Sequence, residues 1–158
     1  MTDPFVPDDN ALRDLLTTAQ TIAVVGHSDN PNRTSYRIAD YLRSVGYTVY
    51  PVNPTVSTID GQPSYPSLAT VPVPIDIVDV FRRSEFVDGI VTEAIAVGAK
   101  AIWTQLGVID EAALQRAQDA GLDVIMNRCI KVEHIQLAFG LLKELAVRVG
   151  HLFVKYIQ

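Results

Sequence analysis

Residues 21–54 read TIAVVGHSDNPNRTSYRIADYLRSVGYTVYPVNP, and this stretch decides the fold. An apolar run, Ile22–Val25, ends in Gly26. A polar loop carrying Pro31, Arg33 and Ser35 follows. Ser35–Val45 then has helical periodicity, with Tyr36, Ile38, Ala39 and Leu42 on one side and Gly46 as the stop. A second apolar run, Tyr47–Val52, with strand two at Thr48–Val52, closes on Asn53-Pro54. Strand, loop, helix, strand is the unit that seats a nucleotide at the carboxyl edge of a parallel sheet. Two details separate it from an ordinary NAD site. The loop lacks G-x-G-x-x-G, and the second strand ends in Asn-Pro rather than in an acid.

The alternation continues on both sides. Asp9–Thr18 reads as a short amphipathic helix with Leu12, Leu15 and Leu16 on one face. Ser57–Pro74 holds four prolines and one glycine and reads as loop, with a short turn at Ser67–Ala69. Ile75–Phe81 is strand three, followed by a helix Glu85–Val97 capped by Ser84 and ended by Gly98. Ala101–Thr104 is strand four, and Asp110 caps a helix Glu111–Ala120 that Gly121 stops. Val124–Met126 is strand five, and Lys131–Tyr156 is helical, with a break expected near Gly150. This pattern predicts an α/β fold: a doubly wound, parallel, five-stranded sheet with flanking helices and right-handed crossovers. The expected strand order is 3-2-1-4-5, with the ligand crevice over the switch point between strands one and four.

Composition bounds the rest. At 158 residues, 48% of them hydrophobic, the chain is expected to form a single domain over 1–158, with a core at 20–134 and a helical segment at 135–158. No stretch reaches about 18 consecutive apolar residues, and the N-terminus lacks the basic-then-apolar layout of a signal peptide. One cysteine, Cys129, rules out an intramolecular disulfide and fits a reducing, cytoplasmic setting. A net charge of −5 speaks against a broad nucleic-acid surface, while leaving room for an anionic small ligand in a local pocket.

Each strand ends in groups expected to face one crevice. These are Gly26, His27 and Ser28 after strand one, Val52, Asn53 and Pro54 at strand two, and Phe81, Arg82 and Arg83 at strand three. Gln105 follows strand four, and Asn127, Arg128 and Cys129 follow strand five. Gly26 permits a tight turn and close backbone approach. The next helix offers free N–H groups near Thr34–Arg37, with Arg33 and Ser35 as added donors for a phosphate. With no carboxylate at Asn53, NAD is disfavoured; the 2′-phosphate of NADP and the 3′-phosphate of coenzyme A match the cationic loop equally well.

The ordered set AVVGHSDNPNRTSYRIADYL, GYTVYPVNP, YPSL, DIVDVFRR, AIWTQLGV and MNRCIKVEH resembles the small, free-standing CoA-binding proteins of bacteria, which are similar to the nucleotide-binding domain of the succinyl-CoA synthetase alpha subunit. The resemblance spans Ile22 to His134 and implies a CoA-binding fold of the Rossmann type. It implies that Gly26, Ser28, Arg33 and Ser35 contact the ADP phosphates and that Asn53 and Pro54 line the pocket. Phe81 with Arg82 would flank adenine or the 3′-phosphate, Tyr65 would border the pocket, and Gln105 and Asn127 would lie nearer the pantetheine arm. The chain departs from the family in carrying Asn127 where Asp is commoner and in its longer tail after Leu145, an extension suited to self-association or to covering the core. It is too short for the second domain of a full ligase and lacks a glycine-rich phosphohistidine segment.

The remaining chemistry-bearing residues have plainer readings. His27 stands beside the phosphate loop, and His134 reads as a packed or solvated helix residue. No local motif supports a Ser–His–Asp triad, and the three histidines and one cysteine have no metal-ligand spacing. Cys129, at a helix start beside Arg128 and Lys131, is either a small packed residue, the reading favoured, or a thiol that reaches the ligand's thiol arm. Glu93 and Lys100 read as solvated, and Trp103 and the stripe Leu137, Leu141, Leu142 and Leu145 as core. The expected function is binding of CoA or acyl-CoA through its ADP and 3′-phosphate, as a non-catalytic carrier, sensor or regulatory module, with no nucleic-acid or membrane partner. The alternatives are an NADP-dependent reductase and the nucleotide-binding subunit of an acyl-CoA ligase-like enzyme. Homo-oligomerisation and a partner enzyme stay open.

Overall fold

A computed structural model describes residues 3–156 of the chain, and the side-chain surroundings through residue 150. The elements are α1 Asp9–Thr18, β1 Thr21–Val25, α2 Thr34–Ser44, β2 Thr48–Val52, β3 Thr58–Ile59, β4 Gln62–Pro63, β5 Ile77–Val80, α3 Val87–Ala96, β6 Ala101–Thr104, α4 Glu111–Asp119, β7 Asp123–Ile125 and α5 Ile130–Tyr156. Alternation of apolar runs with amphipathic helices gives the expected α/β class: one parallel five-stranded sheet with helices on both faces.

The strand order differs from the expectation. The sheet runs β2-β1-β5-β6-β7. In the terms of the sequence reading this is 2-1-3-4-5, not 3-2-1-4-5. The third strand, β5, pairs in parallel with β1 (Ile22 opposite Ile77, Val25 opposite Val80), and β2 is left at the edge. Pro51 supplies the physical reason. A proline has no N–H to give a ladder and belongs on an edge strand. The Pro51 carbonyl accepts from the Tyr65 N–H at 2.9 Å, so the side of β2 that lacks a donor faces outward. β5 is buried along its whole length, as a central parallel strand should be. The switch point therefore lies between β1 and β5, not between strands one and four.

Ser57–Pro74 is also more ordered than a plain loop. It forms the short hairpin β3–β4, then returns along the rim of β2, where the Asn53 N–H donates to the Tyr65 carbonyl at 2.9 Å. That return covers the outer edge of the sheet. The turn expected at Ser67–Ala69 is a 3-10 turn at Leu68–Thr70.

Side chains alternate between two cores. Ala23, Val25, Val78, Val80 and Ile102 pack with α3 and α4, while Ile22, Val24, Ile77, Trp103 and Ile125 pack with α1, α2 and the start of α5. Trp103 is core, as expected, with its Nε1–H donating to the Arg128 carbonyl at 2.8 Å. Asp110 caps α4 through the Ala113 N–H at 3.0 Å.

Other expectations fail for local reasons. Ser84 does not cap the next helix; its hydroxyl accepts from the Ile109 N–H at 2.9 Å, and the segment starts as a 3-10 turn, Ser84–Phe86. Glu93 is not merely solvated, since its carboxylate accepts from the Leu68 N–H at 3.1 Å. α5 runs unbroken past Gly150. Leu141, Leu142 and Leu145 are exposed rather than core, and of that stripe Leu137 alone packs on the core.

The β1–β5 adjacency is pinned by Asp76, just before β5. Its Oδ2 accepts from the N–H groups of Gln20 and Thr21 at 2.8 and 3.0 Å, and its Oδ1 pairs with Lys100 Nζ at 3.0 Å. Lys100, read as solvated, is thus paired at its tip. Burial pushes the Asp76 carboxyl up, but the two N–H donors and Lys100 outweigh it and hold the group below its usual range. A folded pKa below the unfolded one gives stability that is full above the unfolded value near 4 and is lost as pH falls through the folded value. Asp76→Ala is expected to cost about 1–3 kcal/mol at neutral pH, with the deficit shrinking below about pH 4, in urea titrations run across pH. A deficit that does not change with pH would show that the charge contributes nothing.

Candidate functional site

The turn after β1 sets the geometry. The Gly26 N–H donates to the Val52 carbonyl at 2.8 Å, tying the ends of β1 and β2. Gly26 has φ +88°, and a Cβ there would lie 3.0 Å from Arg82 Cδ and 3.2 Å from the Phe81 carbonyl. Only glycine suits that conformation and that close approach. Asn53, at the end of β2, bridges the same two strands. Its Nδ2 donates to the His27 carbonyl at 2.9 Å, and its Oδ1 accepts from the Thr55 N–H at 3.0 Å.

The loop to α2 is held by its own side chains. Ser35 Oγ accepts from the Ser28 N–H at 3.1 Å, Ser28 Oγ from the Asn30 N–H at 3.0 Å, and Asn30 Oδ1 from the Asn32 N–H at 2.9 Å. Ser35 is thereby spent on the loop, and no side chain caps α2 at Arg33. A helix begins with N–H groups that have no partner in the helix, and they carry the positive end of its dipole. Here they open onto a cleft of ≈ 740 Å³. Gly26, Ser28, Arg33 and Ser35 line it on the β1–α2 side, joined by Asn32 and Thr34; Asn53, Phe81 and Arg83 line the other.

A second hollow of ≈ 210 Å³ adjoins it across Arg82. Val52, Pro54, Arg82 and Phe86 line it, with Leu68 and Glu93 at its far side. The Arg82 guanidinium carbon sits 4.0 Å from the Phe86 ring centre, a cation–π contact that flattens the arginine into a wall. Phe86 and Leu68 are additions to the sequence-derived set. Phe86 carried a signal, an aromatic three residues past an Arg-Arg pair; the distant Leu68 carried none.

Several sequence candidates lie elsewhere. His27 is fully buried beneath the loop and does not line the cleft. Arg43 Nη2 lies 3.2 Å from its Nε2, so that nitrogen accepts, and Nδ1–H donates to the Ser28 carbonyl at 2.8 Å. Burial, with Arg43 nearby, pushes its pKa down against the raising effect of the Ser28 carbonyl. His27 is therefore a neutral strut that shapes the loop. Tyr65 seals the β2 edge and stacks at a tilt on Tyr50. Asn127, in the left-handed region at φ +58°, clamps the loop after β6 by accepting from the Gly107 N–H at 2.8 Å. Cys129 is half-buried against the Trp103 core, and its carbonyl accepts from the Glu133 N–H at 3.1 Å, placing it just before α5 as expected. His134 is packed: the Tyr41 hydroxyl lies 2.7 Å from its Nδ1, and burial pushes its pKa down.

Gln105 faces inward. Its Nε2 donates at 2.6 Å to Oδ1 of Asp79, a fully buried residue in the middle of β5. The other carboxyl oxygen of Asp79 is buried with no partner. Burial pushes the Asp79 pKa up to about 7, with Gln105 pulling the other way. The sequence carried a signal for this pair: an acid inside the otherwise apolar run IDIVDVF.

No group of His, Cys, Asp and Glu among the described residues could hold a metal ion. None of the described helices is long and apolar enough to cross a membrane. A parallel sheet with helices on both faces, a switch-point crevice and a tight glycine turn after the first strand define an α/β protein of the Rossmann-like class. Residues 20–135 match the CoA binding domain family, and the chain belongs to it. It is 41% identical over 128 residues to the uncharacterized protein YneT of Bacillus subtilis, covering 81% of this chain and 95% of YneT. A hypothetical protein from Pyrococcus horikoshii has the same fold in a solved structure, with a TM-score of 0.83 and 36% identity over 87% of this chain and 97% of that one. The ADP-forming acetate–CoA ligase I of Archaeoglobus fulgidus is 24% identical over 77% of this chain, which spans 19% of the ligase.

Asp79 titrates with the opposite sign to Asp76. A carboxyl whose folded pKa lies above its unfolded value near 4 loses stability as pH rises from about 4 to about 7, and no further above that. Asp79→Asn is expected to gain on the wild type across that window and to hold a constant lead above it, in denaturant titrations at matched pH. Parallel stability curves would show that Asp79 is ionised in the folded protein.

Proposed function

We propose that the cleft binds coenzyme A or an acyl-CoA through its ADP and 3′-phosphate, and that the chain is a binding module without chemistry of its own. The observation that carries this is the start of α2. It has no side-chain cap, is flanked by Arg33 and faces an open cleft at the switch point. An anion there gains from backbone donors and from a guanidinium that can grip two oxygens at once. Gly26 and Ser28 would approach the diphosphate, with Asn53 and Phe81 as side walls. The hollow between Pro54, Arg82 and Phe86 would take the flat base, with Arg83 exposed at the rim for the 3′-phosphate.

Membership of a CoA binding domain family supports the choice of ligand. A non-catalytic role is supported by the engagement of His27, the proton-donor candidate nearest the loop, at both ring nitrogens. The likeness to one part of an acetate–CoA ligase favours a second reading, a nucleotide-binding subunit that serves a separate catalytic chain. A stoichiometric partner that co-purifies with the chain would decide for it.

Thermal unfolding of ligand-stripped protein with CoA, dephospho-CoA, NAD and NADP tests the proposal. A ligand at 100 times its dissociation constant adds about 2.7 kcal/mol, roughly 5–10 °C for a domain of this size. CoA is expected to give the largest shift; a shift with NADP and none with CoA would replace this reading with a reductase. Arg33→Ala is expected to weaken CoA at least tenfold by calorimetry. Equal losses for CoA and dephospho-CoA would assign Arg33 to the diphosphate, and a loss confined to CoA would assign it to the 3′-phosphate. Gly26→Val is expected to abolish binding, and unchanged affinity would remove the crevice from the argument.

A further inference from the structure

α5 meets its own chain through its first turns, where Ile130 is fully buried, Leu137 packs on the core and His134 meets Tyr41; from 141 to 150 every residue is exposed, and Glu144 reaches Arg13 at 3.4 Å. The side away from these contacts is apolar and open. Val132, Phe139, Leu142, Leu145 and Val149 are 46, 62, 62, 59 and 52% exposed. Together they present roughly 500 Å² of apolar surface, near the upper limit for the largest patch on a typical monomer.

The spacing says what fits there. Ile135, Leu142 and Val149 recur every seven residues, with Ala138 and Leu145 interleaved at the second seam position. A seven-residue repeat is matched by another helix of the same repeat, and the small Ala138 and Ala146 allow close approach. Between residues 135 and 149 no charge lies on this seam, since Lys143, Glu144 and Arg148 are off it; one repeat earlier the second seam position is Lys131, whose Nζ sits 5.2 Å from the Tyr41 ring centre. The polar side mixes both signs (Glu133 and Glu144 against Lys143 and Arg148), unlike the cationic stripe of a helix lying on an anionic membrane. Two such faces joined would bury roughly 1,000 Å², the threshold for a specific interface.

We propose that the exposed face of α5 pairs with the same face of a second copy of this chain in a two-fold dimer. This does not depend on the ligand assignment, because the seam lies outside the lining of the cleft. Sedimentation equilibrium of the full chain at micromolar concentrations is expected to give twice the 17.3 kDa chain mass. Leu142→Glu with Leu145→Glu places unpaired charge in the seam and is expected to weaken the dimer at least about a hundredfold while keeping the wild-type helical circular dichroism. If that pair of changes disturbed the fold, Val149→Glu alone carries the same test. A wild-type chain that stays monomeric at tens of micromolar would overturn the proposal, as would a double variant that dimerises unchanged. A monomeric wild type that co-sediments with phosphatidylserine vesicles, when the double variant does not, would overturn it in favour of a membrane surface.

Discussion

The crevice depends on one constraint: the ends of β1 and β2 must be held together while the backbone beyond them turns sharply away. The Gly26 N–H to the Val52 carbonyl does half of this, and the Asn53 amide to the His27 carbonyl does the rest. Parallel strands leave no hairpin to fix their ends, so these cross-strand bonds substitute for one. From that fixed point the loop runs to α2 along a chain of serine and asparagine contacts. His27 is buried to support it from below, and Arg82 packs across the glycine to divide the crevice. A side chain on Gly26 would strain the turn and strike that divider together.

Much of the fold was legible because it rests on local chemistry. α1, β2 and β6 have the boundaries read from the sequence, and β1, α2 and α4 differ by a residue at their ends. Their apolar spacing and their Asp and Gly punctuation are unambiguous. Strand order was misread because pairing is a long-range choice. The one residue that speaks to it, Pro51, was read as part of an apolar run and not as a missing donor. Ser84 was misassigned as a cap because a hydroxyl before a helix has competing partners, and here the Ile109 N–H prevails.

The site was legible in its rim and opaque in its supports. Gly26, Ser28, Arg33, Ser35, Asn53, Phe81 and Arg83 come together around one cleft. The residues that fall away from it are those whose role depends on which way a side chain points. His27 and Gln105 turn inward, and Asn127 is spent on holding Gly107. Asp76 and Asp79, three positions apart before and within the same strand, make the same point. One meets two backbone donors and a lysine and stays acidic; the other meets a single amide in a dry core and is pushed toward neutrality.

The bare start of α2 has one more consequence. A folded helix ordinarily carries its own cap, so its first turn is as firm with a ligand as without one. On the proposed reading this chain delegates the cap to its cargo. Residues 33–37 then become the part of the molecule whose order reports occupancy, firm when the phosphate is seated and fraying to water when it leaves. Any partner that can feel the stiffness of that single turn could tell a loaded chain from an empty one with no other part of the sheet having to move.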